Sequence, residues 1–237
     1  MFSNWLKILL WIVVIGLLFN MWFGGEVEEE PVIDIDFDKV VNYTAVEEDT
    51  EELEREGRIL RYSLVFNNKA EVREIKESVK KLVKDLREER QFNALVIELF
   101  DHEKYLERTE ATLGSVIYAP EGRIDLADTI SAGDYRDMEF SWDVLNKDWE
   151  QRPEEQEIEI WAKWQDTYDR FQNVERDKTY SPVSWKEAGQ VPALYLGREI
   201  SPQSVDFMIG RKFDLSIAEV AEIRNKNLRW RLLDIQK

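Results

Sequence analysis

RILRYSLVFNNKAEVREIKESVKKLVKDLREERQFNALVIELF, residues 58–100, decides the fold. Arg58 to Phe66 reads as a strand. Asn68 offers a helix N-cap, with Glu71 three residues on at capping-box spacing. Val72, Ile75, Val79, Leu82, Val83 and Leu86 then form one apolar stripe that predicts an amphipathic helix through about Arg90. Its opposite face mixes Arg73, Lys76, Lys80 and Lys84 with Glu74, Glu77 and Glu88, the pattern of a solvated face laced with opposite charges. Asn93 to Phe100 is nearly continuous in apolar residues, as a strand central in its sheet would be. Strand, helix and strand in this span predict a parallel, right-handed crossover unit.

Working outward, Ser115–Ala119 and Arg136–Val144 supply two more strands, and Pro120-Glu-Gly122 a turn. The expectation is an α+β domain over 58–145, a four-stranded sheet with one face on the 68–90 helix. The second core strand ends in Phe100-Asp101, and a Gly-x-x-x-Tyr-Ala-Pro-x-Gly stretch follows (Gly114, Tyr118, Ala119, Pro120, Gly122). This order resembles an uncharacterised domain of small bacterial and phage lipoproteins and exported proteins, over less than half the chain. That family has no established activity, so the resemblance implies an exported, surface-tethered domain and assigns no residue a role.

Residues 146–197 read as a helix plus an irregular connection. The helix runs from Pro153 toward Lys178, with Trp161, Trp164, Tyr168 and Phe171 at i, i+3, i+7 and i+10. Such a seam serves a helix docked on a core, or an exposed stripe that binds a partner. Residues 198–237 read as a helical hairpin. Ser201-Pro202 opens a first helix through about Phe213, and Ser216 with Glu219 caps a second toward Leu233. Gly210, Asp214, Leu215, Ser216, Val220 and Ile223 fall in a register that resembles the helix-turn-helix of bacterial DNA-binding proteins, over 202–233, with Asp214 at the usual turn glycine. A DNA reader needs cations on the first turns of its second helix. Those positions hold Ile217, Ala218, Glu219, Ala221 and Glu222, and Arg224, Lys226, Arg229 and Arg231 come only later. Nucleic acid is therefore not the expected partner.

Toward the amino terminus, residues 26–57 carry fourteen acids against Lys39 and Arg55. That predicts an acidic tether holding the domain away from anionic headgroups. Within it, Ile33, Ile35 and Phe37 alternate with Asp34, Asp36 and Asp38. The D-x-D-x-D spacing invites a calcium loop, but Lys39 and Ala45 stand where such a loop needs Gly and Glu. An edge strand or extended tether is expected, with no cofactor and no metal.

Residues 1–25, MFSNWLKILLWIVVIGLLFNMWFGG, predict a transmembrane anchor. Trp5 to Phe23 holds one charge, Lys7, and as a helix spans roughly 28 Å, close to a bilayer's hydrocarbon core of ~30 Å. Leu9, Trp11, Ile15 and Leu18 lie within the apolar run, and Trp5 and Trp22 mark its two interfaces. A cleaved signal peptide would need a more basic start and small residues at its end, where Met21, Trp22 and Phe23 stand. Lys7 precedes the span and no cation follows before Lys39, which points to a cytoplasmic amino terminus and an extracytoplasmic remainder.

The 237 residues carry a net charge of −17. The absence of cysteine excludes disulfides, thiolate metal sites, cysteine nucleophiles and a lipidated-cysteine anchor. One histidine, His102, excludes sites needing two imidazoles. Asp101, His102 and Glu103 just past a strand end are the one hydrolase candidate, unaccompanied by a G-x-S-x-G elbow, a P-loop or a G-x-G-x-x-G turn. A solvated loop is the simpler reading of the three. The expectation is a membrane-anchored extracytoplasmic domain that binds an envelope protein without catalysis. A membrane-tethered DNA-binding regulator and a hydrolase are the alternatives, and oligomeric state is left open.

Overall fold

A computed structural model describes residues 30–53, 57–106, 108, 110–176 and 201–232. The chain is α+β, built on a mixed five-stranded sheet with strands in sequence order: β1 (Thr44–Glu52), β2 (Arg58–Val65), β3 (Ala94–Phe100), β4 (Gly114–Pro120) and β5 (Met138–Val144). β2 and β3 pair in parallel through the crossover helix α1 (Val72–Glu89), and every other pair is antiparallel.

The helix begins later than the sequence predicts. Glu71, not Asn68, is its N-cap, and the Glu74 carboxylate accepts from the Glu71 N–H at 2.8 Å. Ile75, Val79, Leu82, Val83 and Leu86 are buried against Leu60, Tyr62 and Leu64 of β2 and Leu95, Ile97 and Leu99 of β3. Each large apolar side chain fully buried there contributes about 1.5–3 kcal/mol. Gly114, which opens β4, has φ +97°, and a Cβ on it would lie 1.9 Å from the Asp143 carbonyl oxygen, so only glycine fits.

The sheet has five strands where four were expected, because part of the acidic segment folds. β1 pairs with β2 from Thr44↔Val65 to Glu52↔Arg58, with a bulge between Glu47 and Thr50. Before β1, residues 30–43 lie along α1. Arg87 pairs with Glu30 at 2.6 Å and Arg73 with Asp36 at 2.8 Å. The Asp36 N–H donates to Glu77, and the Val41 N–H to the Ser78 hydroxyl. Burial alone would raise the Glu77 carboxyl, but the Asp36 amide and Lys80 outweigh it and hold it low. Ile33, Val41 and Tyr43 pack on the core. The aspartates beside them are not a strand face: Phe37–Lys39 form a 3-10 turn.

The carboxy-terminal helices α2 (Glu155–Arg176), α3 (Pro202–Phe213) and α4 (Ile217–Leu232) pack together. They sit at the sheet end where β2 and β3 finish, through a cluster of Val65, Phe100, Tyr105, Ile158, Trp161 and Trp230. The hairpin forms as its sequence predicts. Ser201 caps α3, Asp214 takes the left-handed conformation (φ 57°, ψ 44°), and Ser216 and Glu219 cap α4 reciprocally. Gly210 allows the turn to close, since a Cβ there would stand 2.5 Å from the Leu215 carbonyl oxygen.

No helix among the described residues is long and apolar enough to cross a membrane. The anchor residues Trp5, Leu9, Trp11, Ile15, Leu18 and Trp22, and most of the irregular connection, lie outside the described residues.

Candidate functional site

The carboxyl ends of parallel strands commonly carry active sites, and the chain's one histidine lies there. Asp101 and His102 follow β3 directly, and both are buried. They are not the solvated loop that the sequence suggested; only Glu103 is exposed.

Asp101 is sealed on every side. Its Oδ2 accepts from Arg152 Nε at 2.7 Å, and its carbonyl from Arg152 Nη2 at 3.0 Å. Its Oδ1 accepts the Thr112 hydroxyl, which in turn accepts the Asp101 N–H at 3.1 Å. The charge is thus paired and hydrogen-bonded, as a buried carboxylate must be.

His102 is equally committed. Its Nδ1 accepts the Lys104 N–H at 2.9 Å, so the neutral ring carries its proton on Nε2. That proton points to Glu155 Oε1, 2.5 Å away on the first turn of α2. Beside it, the buried Tyr105 hydroxyl donates to Asn227 Oδ1 of α4 at 2.7 Å, and burial pushes that hydroxyl's pKa up. Lys147, also buried, donates to the Trp230 carbonyl at 2.7 Å, placing a cation where the α4 dipole ends negative.

A general base needs a lone pair within reach of a substrate proton. Asp101 is fully buried and paired, and both His102 nitrogens are hydrogen-bonded within the protein, so the cluster clamps the sheet to the helices. Sequence reasoning missed Arg152, Thr112, Glu155, Tyr105 and Asn227, its other members. Their separations along the chain, up to 122 residues for Tyr105 and Asn227, leave no local signal.

The aromatic seam of α2 is divided between two cores. Trp161 faces the sheet, its ring tilted against Tyr105 at 5.1 Å between centroids and lying under the Arg231 guanidinium. Trp164, Tyr168 and Phe171 face the hairpin, packed with Val205, Ile209 and Val220. The Trp164 indole N–H donates to buried Asp206 Oδ1 at 2.8 Å, and Arg224 pairs with the same carboxylate at 3.2 Å. The seam therefore serves the chain's own packing.

Three of the hairpin's cations are turned into the fold. Arg224 holds Asp206, Lys226 holds Glu157 at 2.5 Å, and Arg231 is half-buried with its pKa lowered by that burial. Its leading turn presents exposed Ile217, Ala218, Glu219 and Glu222. Among the described residues, no group of three or more His, Asp or Glu side chains is arranged to hold a metal ion.

No family model, curated protein or solved structure matches this chain.

Proposed function

We propose that this is a single-pass membrane protein whose amino-terminal flank stays in the cytoplasm. Its α+β domain works on the outer side by contact with an envelope protein, and not by catalysis. The observation that carries the reading is the run from Trp5 to Phe23, long enough for a bilayer and interrupted by Lys7 alone among charges. The commitment of Asp101 and His102 to internal partners supports the non-catalytic part. The resemblance of 58–145 to exported bacterial domains agrees with the outer side.

The packing of the acidic segment changes what the anchor does. Only residues 26–29 separate Gly25 from Glu30, which is already paired to Arg87. Fully extended, the five Cα-to-Cα steps between them reach at most about 18 Å. The domain is then held close to the bilayer, by the end where α1 terminates, and the helical pack at the opposite end of the sheet points away.

Fusions of reporters to the carboxy terminus test the topology. Alkaline phosphatase should be active and a cytoplasm-dependent reporter silent, and the native chain should resist carbonate extraction. Release by carbonate of a chain that still begins at Met1, or the reverse reporter pattern, would overturn the proposal.

A further inference from the structure

Among the described residues, the sheet face turned away from α1 is covered at its two ends and left open between them. At one end Ile59, Ala94 and Ala119 pack with Ala127 of a 3-10 turn spanning Ile124–Thr129. At the other, Val65 and Phe100 lie against Tyr105 and Trp161. Between these covers the strand register lays one row across all five strands: Val46, Ser63, Glu98, Ser115 and Asp143. A second row is Arg61, Val96, Ile117 and Ser141. Val96, Ile117 and Glu98 are only half-buried, Asp143 and Ser141 are exposed, and Val46 is 38% exposed.

This floor is apolar along its middle and acidic around it. Glu48 and Glu51 on β1, Glu98 on β3 and Asp143 on β5 stand against Arg61, the one cation on the two rows. Arg61 already reaches Glu51 at 3.3 Å, and Glu48 accepts the Ser63 hydroxyl. The Glu98 carboxylate makes no hydrogen bond or ion pair with the described residues. Burial, with repulsion from Glu48 and Glu110, raises its pKa. Arg61 offsets this only in part, so the face carries a net negative charge among the described residues.

We propose that this open sheet face is a docking site for an extended, lysine- or arginine-bearing segment of a partner protein. The charge complementarity selects the partner's cations. Val46, Val96 and Ile117 accept its apolar side chains. Five strands about 4.8 Å apart make a platform roughly 19 Å wide, which an extended segment of about six residues crosses. The site gives a contact surface to the partner-binding role proposed above and rests on that role.

The test uses the full-length chain in detergent micelles and a fluorescent octapeptide alternating Lys and Val, read by anisotropy at low salt. The peptide should bind. Glu98→Gln with Asp143→Asn should weaken it about tenfold, while Glu88→Gln with Glu89→Gln, an equal loss of charge on α1, should change it less than twofold. Asp143→Lys, at an exposed position that cannot disturb the core, should weaken it further. No binding by the unaltered chain overturns the site. So does equal weakening by the two double variants, which is general attraction to an acidic molecule, or equal binding of a Thr-Val peptide. A failed peptide test beside an active alkaline phosphatase fusion removes this site and leaves the anchor standing.

Discussion

Asp101 and Arg152 show how one residue's cost depends on what its loss leaves behind. Replacing Arg152 with Met strands a fully buried carboxylate, and we expect a loss of about 3 kcal/mol in urea unfolding. A loss within about 0.5 kcal/mol, the range of an ordinary surface substitution, would contradict the buried pair. Glu98 works in the opposite sense. Burial and like charges hold its carboxyl above the ordinary range, so the folded chain binds that proton more tightly than the unfolded one. Stability from this group is therefore present at low pH and declines as pH rises through the raised value. Glu98→Gln should raise Tm at neutral pH and leave it unchanged near about pH 3, where the carboxyl is protonated in both states. A gain of equal size at both pH values would rule out the electrostatic cause.

Among the elements, the α3–α4 hairpin is the most sharply specified. Its turn requires a residue without a side chain at Gly210 and a left-handed one at Asp214. Gly210→Ala drives a Cβ into the Leu215 carbonyl and should cost on the order of 2 kcal/mol. Asp214→Gly relieves a positive φ and should be neutral or stabilising by up to about 1 kcal/mol. Thermal melts of the two variants decide the matter: a Gly210→Ala chain as stable as the parent would mean the turn is not closed this way. The same geometry resembles a DNA-reading motif, yet Arg224 and Lys226 hold carboxylates of α3 and α2. The turn follows from local chemistry alone. What the helices face is set by their neighbours.

At the scale of the whole molecule, sheet and helices share one interior. Val65 and Phe100 bury against Trp161 and Trp230, Tyr105 bonds Asn227, and the Trp149 indole donates to the Ala70 carbonyl. Urea unfolding followed by tryptophan fluorescence and by far-ultraviolet circular dichroism should give coincident transitions. Two separated midpoints would show that the helical pack melts on its own. Tyr105→Phe removes one of the bonds across the seam and should lower the common midpoint by about 1 kcal/mol of stability. If the proposed anchor holds, the short link to Glu30 would keep the end of this unit where α1 terminates near the bilayer, with the hairpin at the other end.

The strands at 58–65, 94–100, 114–120 and 138–144, the α1 stripe and the hairpin were legible because each is written in local periodicity, caps and turn residues. β1 was not, because Glu47, Glu48, Glu51 and Glu52 in isolation read as a solvated tether; only pairing with β2 makes them a strand. The Asp101–Arg152, His102–Glu155 and Tyr105–Asn227 pairs were invisible for the same reason, since their partners lie far apart in the chain. The amino-acid order by itself determined the four later strands, the α1 stripe, the hairpin turn and the apolar segment at the start, which depend on neighbours within a few residues. The tertiary structure alone decided which charges are buried in pairs and which, like Glu98, are left facing outward, because a charge's environment is made by whatever folds against it.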